Sequence, residues 1–259
     1  MKWNLLMTIF LPFLLIRTTE KPETVSFPLP APPQINTMPA RVAAIPLPPG
    51  YQHLPGAAGS FTAWLRTIGI KKDKTVYLYN GQPKQNQQAQ YVVLDIPVGR
   101  KDLQQCADAV MRLRAQYLYS QQRFAEIWFT DNNGKKYTCT PGADSTRFER
   151  YLENVYAWCG TLSLEKQLHP VSNFQNIQPG DVLIKGGSPG HAVMVMDVAV
   201  NKAGKKIYLL AQSYMPAQNI HILKNPANES LSPWYEAKTD NSLIITPEWT
   251  FSPNQLRRW

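Results

Sequence analysis

From Gly180 onward the chain stops repeating apolar residues every three or four positions and becomes a series of short apolar runs separated by Gly, Pro and Asn. Asp181 to Lys185, His191 to Val200, Lys206 to Ser213, Asn219 to Leu223 and Leu243 to Thr246 read as strands, and their close spacing predicts an antiparallel meander. Upstream, the period is mostly helical. Ser60 to Arg66 reads as a short helix, and Ser145 to Trp158 follows Phe148, Leu152, Val155 and Tyr156 until Gly160-Thr161 ends it. The strongest helix opens at Asp102, with Leu103, Cys106, Val110, Leu113 and Tyr117 on one stripe; Asp102 with Gln105 fits a capping box, which sets Cys106 about one turn in. Thr75 to Tyr79 and Tyr91 to Ile96 read as strands, and Ala125 to Thr130 with Lys135 to Thr140 as a hairpin around Asp131 to Gly134. Helices first and strands later predict an α+β fold, with the Cys106 helix on an antiparallel sheet and a hairpin and helix inserted between them.

Three segments are expected. Residues 1–20 begin with Met1-Lys2 and an uncharged stretch from Trp3 to Ile16, the pattern of a signal peptide or N-terminal anchor. Residues 21–50 are a proline-rich linker, too dense in proline for a helix or a central strand. Residues 51–259 form a single domain; with 44% hydrophobic residues in the chain, wholesale disorder is excluded. The protein is thus expected to be exported, periplasmic or envelope-associated, and monomeric, with a membrane tether if the first segment is retained. The net charge of +9 favours anionic partners. The basic residues fall in scattered pairs such as Lys71-Lys72 and Arg257-Arg258, which argues against a nucleic-acid stripe.

Three cysteines, Cys106, Cys139 and Cys159, cannot all pair within one molecule. A thiolate is favoured near a helix N-terminus, and Cys106 alone of the three is so placed; otherwise it is a packed member of its stripe. A nucleophilic thiol needs an imidazole to take its proton. His191, directly after the turn-forming Gly186-Gly187-Ser188-Pro189-Gly190, is better placed than His53, His169 or His221, the last of which reads as an exposed alternating position. The ring in turn needs a polar partner, and pairing around Asn201 to Gly204 brings Gln212 near His191, whereas Asp197 lies too far along the strand. No zinc spacing, phosphate loop or dinucleotide signature occurs, so no metal or cofactor is implied.

Gly180-Asp181-Val182-Leu183-Ile184 with Gly190-His191-Ala192-Val193-Met194-Val195 resembles the paired strands of the NlpC/P60 papain-like cysteine peptidases, which cut peptidoglycan stem peptides. That resemblance implies a papain-like core with Cys106 as nucleophile, His191 as base and Gln212 as the residue orienting it. The familiar Asp-Cys-Ser-Gly is replaced here by Gln105-Cys106-Ala107-Asp108. From about Tyr51 to its end the chain is more closely similar to a bacterial family catalogued as domain of unknown function 4846, through Asp102 to Val110, Gly160 to Leu164 and Leu210 to Gln218. The function expected is a secreted thiol hydrolase acting on amide bonds of cell-wall peptides, with Gln105, Ser188, Tyr91 and Tyr214 contacting substrate and the Cys106 N–H as an oxyanion donor. The alternative is a non-catalytic envelope module that holds a glycan or peptide with the Gly186 to Gly190 loop and Trp64, Tyr79 and Tyr214.

Overall fold

The computed structural model describes Met1 and residues 38–259. The expected export segment beyond Met1, and the linker up to residue 37, lie outside the described residues. The chain runs β1 (Tyr51–His53), α1 (Phe61–Thr67), β2 (Gln90–Val93), α2 (Cys106–Ser120), β3 (Trp128–Thr130), β4 (Lys136–Thr138), α3 (Ser145–Trp158) and α4 (Thr161–Gln167). It continues through β5 (His169–Pro170), β6 (Val182–Lys185), β7 (His191–Asn201), β8 (Lys206–Gln212), β9 (His221–Leu223) and β10 (Tyr235–Glu236). The last strands are β11 (Ile244–Ile245), β12 (Thr250–Phe251) and β13 (Leu256–Arg258).

Nine strands form one antiparallel sheet in the order β2-β9-β8-β7-β6-β13-β5, with β1 added to β7 and β10 to β8. The His191 strand is almost unbroken in apolar residues because both faces of the sheet are covered. Val182, Ile184, Ala192, Met194, Leu209 and Ala211 pack with residues of α2, α3 and α4, such as Val110, Leu152 and Leu164, in the larger core. Leu183, Val193, Val195, Tyr208, Leu210 and Leu223 face a second core closed by Phe174, Ile244, Phe251 and Leu256. A register shift between Val195 and Asp197 reverses the alternation, so that Val195 and Val198, three residues apart, lie in the same core.

The α+β class and the antiparallel sheet agree with the expectation, as do the β3–β4 hairpin and α3. Several local readings are corrected. Thr75 to Tyr79 is not a strand; Tyr77 and Leu78 make isolated bridges to Pro83 and Gln218. Gly160-Thr161 does end α3, but Gly160 also caps the unforeseen α4, its N–H donated to Ser163 Oγ at 3.1 Å. Residues 38–50, read as part of the linker, belong to the same compact unit as residues 51–259. Val42 and Ile45 are buried in the main core and the Pro46 carbonyl accepts the Trp234 indole N–H at 2.8 Å, so the end of the proline-rich stretch is packed.

Candidate functional site

α2 starts later than the sequence suggests. Cys106 is its first residue, and the cap is made from Gln105, whose N–H is donated to Asp108 Oδ2 at 2.9 Å. Asp102, expected to cap, accepts the Ala217 N–H at 2.7 Å and ties the helix entry to the segment after β8. The first helical residue is where backbone N–H groups lack intrahelical acceptors, so the position suits an anion. Burial overrides it. Cys106 is 8% exposed, and desolvation pushes its thiol up to about 11, with Asp108 adding to the rise and the N–H groups of Ala192, Ala107 and Cys106 opposing it. The expected low-pKa thiolate is therefore corrected: the resting group is a neutral thiol. Cys139 and Cys159 are also free and buried, but they belong to the aliphatic core, whereas Cys106 does not.

His191 opens β7 after a loop that glycine makes possible. A Cβ on Gly190 would meet Thr161 Oγ1 at 2.5 Å, Lys185 O at 2.8 Å and the Gly187 carbonyl oxygen, so the loop folds tightly on itself and on the start of α4. Thr161 Oγ1 donates to Gly187 O at 3.2 Å and holds it there. The imidazole is buried among Tyr214, Trp249 and Phe251, with ring centroids 4.8, 5.3 and 5.8 Å away. Its Nε2 lies 2.9 Å from Gln212 Oε1. Met194 pairs with Ala211, and this register carries the end of β8 to the beginning of β7. Desolvation lowers the His191 pKa to about 4, against the hydrogen bond to Gln212 Oε1. The ring's hydrogen bond is to Gln212 and, among the described residues, none joins it to Cys106.

Behind Gln212 lies a polar cluster that the sequence did not announce. Gln212 Nε2 donates to Glu248 Oε2 at 2.7 Å, and Glu248 accepts from Lys84 Nζ at 2.5 Å and Asn86 Nδ2 at 3.1 Å. His221, read as an exposed alternating position, is fully buried, with Nδ1 2.9 Å from Asn219 O and Nε2 3.4 Å from Gln212 Nε2. Lys84 sits in a Gln-rich loop and Glu248 in a short terminal segment; no local pattern marks either as buried.

Cys106, Gln105, Ser188 and Tyr214 share a cleft of about 350 Å³, to which Asp108 and Trp249 also contribute. Tyr91 does not line it; it is half-buried against the main core, with Lys74 over its ring at 5.7 Å. Of the aromatics assigned to ligand holding in the alternative, Tyr214 lines this cleft, whereas Trp64 packs against Phe61 and Tyr117. Asp181 of the Gly180-Asp181 pair is structural, accepting from Arg258 Nε at 2.7 Å and Nη2 at 2.8 Å and so anchoring β13 to β6. Asp197 likewise stays away from His191, bound by Arg66 Nε at 2.8 Å, with His53 Nδ1 2.7 Å away. No group of three or more His, Cys, Asp or Glu arranged to hold a metal ion occurs among the described residues.

Cys106 thus offers a sulfur at the wall of a cleft, beside a strand that starts with an oriented imidazole. Such an arrangement can move a proton between sulfur and ring if the two approach, and it can bind a polar chain across Ser188 and Gln105. No curated protein and no solved structure matches this chain. A family model described as Domain of unknown function (4846) matches residues 42–140 and 131–258, and the chain belongs to that family.

Proposed function

We propose that the protein is a thiol hydrolase of amide bonds in cell-wall peptides, exported and associated with the envelope. The observation that carries this reading is the His191–Gln212 hydrogen bond, with the His191 ring against Tyr214 and Trp249, two residues that line the same cleft as Cys106. Cys, His and Gln follow the chain order of the NlpC/P60 peptidases, which is an analogy of motif. In the proposed reaction the Cys106 sulfur bonds to the amide carbonyl carbon as its proton passes to His191. The C–N bond then breaks, the departing amine takes that proton, and water cleaves the thioester to return the thiol and release the acid. Because the resting thiol and ring are both neutral, the proton moves during attack, without a preformed thiolate–imidazolium pair. The N–H of Cys106, at the first turn of α2, is the proposed donor to the developing oxyanion.

Cys106→Ala and His191→Ala should each lower hydrolysis of wall peptides by several orders of magnitude while leaving the melting transition within a few degrees of wild type. Equal rates in both variants and wild type would remove the hydrolase assignment. A second reading, a binding module without turnover, is favoured by the buried, neutral thiol. The two separate in one measurement: a mass increase equal to the acyl fragment on Cys106 during turnover belongs to the enzyme alone.

A further inference from the structure

We infer that Glu248 is a positioning residue that sets the tautomer of His191 through the side-chain amide of Gln212, with His221 guiding the same amide from its other side. Each proton follows from donor and acceptor counting. Glu248 is held as an anion by Lys84 and Asn86, and a carboxylate has no proton to give. Gln212 must therefore turn its NH2 group to Glu248, which leaves its carbonyl oxygen facing His191. Nε2 of His191, 2.9 Å from that oxygen, must carry the ring proton, so Nδ1 keeps the lone pair. Burial keeps both rings neutral at neutral pH, with pKa values lowered to about 4.

His221 gives an independent reading of the same amide. Its Nδ1 lies 2.9 Å from the Asn219 carbonyl oxygen and must donate to it. The Nε2 lone pair then faces Gln212 Nε2 at 3.4 Å and accepts the second amide hydrogen. Turning the amide over would set its oxygen against a carboxylate and a ring lone pair, and its NH2 against the Nε2–H of His191. The two imidazoles, on the strands that flank β8, are thereby held in opposite tautomers. An imidazole with its proton on Nδ1 could not take a proton there, so the cluster keeps His191 in the state a general base requires. That catalytic consequence rests on the thiol-hydrolase reading; the tautomers do not.

The test is a two-bond 1H–15N correlation spectrum of the full chain labelled with 15N-histidine at neutral pH, assigned with His191→Asn and His221→Asn. His191 should show a protonated Nε2 and a pyridine-type Nδ1, and His221 the reverse, each tautomer favoured by about tenfold or more, as expected when the alternative opposes two donors. A protonated Nδ1 on His191, or signals averaged between tautomers, in the wild-type chain overturns the inference without any variant having to fold. In Glu248→Gln, which keeps shape and removes the carboxylate, His191 should gain a second tautomer, while the exposed Glu153→Gln should leave both rings unchanged; an unaltered His191 in Glu248→Gln also overturns it. If wall-peptide turnover is measurable, Glu248→Gln should lower kcat about tenfold with little change in KM. Opposite tautomers in a chain that hydrolyses nothing would sink the hydrolase reading alone, whereas equal tautomers in an active enzyme would sink the positioning role alone.

Discussion

Two residues beyond Cys106, a carboxyl group is buried beside the same cleft with one oxygen capping α2 and the other lacking a partner. Desolvation pushes the Asp108 pKa up to about 8, against the N–H of Gln105 and its own backbone N–H. In the unfolded chain the same group ionises near its ordinary value of 3.8, so the native state binds more protons between those limits. Stability from this group is full below about pH 4 and is lost as pH rises to about 8. Asp108→Asn, which can still accept from Gln105, should gain stability over wild type progressively across that window; urea midpoints of the two proteins at several pH values measure it, and parallel curves would contradict it. Asp197 is wholly buried too, but it stands beside a cation: its Oδ1 accepts from Arg66 and the Val198 N–H, and its Oδ2 lies 2.7 Å from His53 Nδ1 without a hydrogen bond, so Asp197→Ala should cost about 3–5 kcal/mol by leaving Arg66 without its partner. Denaturant unfolding reads that loss, and thiol alkylation should show Cys106 reacting as in wild type.

At the scale of elements, the loop between β6 and β7 decides whether the site exists. Val182 to Lys185 pair with Met194 to His191 in register, so the five residues between must turn within the width of one strand pair. Gly187 takes a φ of +121°, and the place a Gly190 Cβ would fill is already occupied by backbone oxygens. Gly190→Ala should therefore displace the loop and β7 start together, lowering stability by roughly 1–3 kcal/mol, as other overpacked sites do. The same displacement should disturb the His191–Gln212 hydrogen bond, visible as a changed His191 signal in the histidine spectrum. The start of α2 carries a related lesson. Moving the helix start from Asp102 to Cys106 puts the sulfur at the helix mouth, yet the burial that comes with packing on β7 raises its pKa more than the helix end lowers it. Alkylation of Cys106 should accordingly keep accelerating with pH towards about 11, with no plateau near neutrality.

Across the whole molecule, residues 38–50 are part of the fold and not a spacer. Val42 and Ile45 are essentially unexposed, and losing both should cost on the order of 3–6 kcal/mol. A chain beginning at Tyr51 should melt well below one beginning at Met38. The amino-acid sequence by itself determined the α+β class, the strands from Val182 to Leu223, helix α3, and the meeting of His191 with Gln212. These follow from periodicity, turn residues and a hairpin register that is local in the chain. Only the tertiary structure decided that Thr75 to Tyr79 carries isolated bridges, that Tyr91 lies off the cleft, and that His221 is buried. It also decided that Lys84 and Glu248, 164 residues apart, stand behind Gln212. The physical reason is that burial and charge pairing are properties of what surrounds a side chain, and for these residues the surroundings come from distant segments. A strand with one open face would have exposed His221; this sheet has both faces covered, and nothing within Ile220-His221-Ile222 records the second cover.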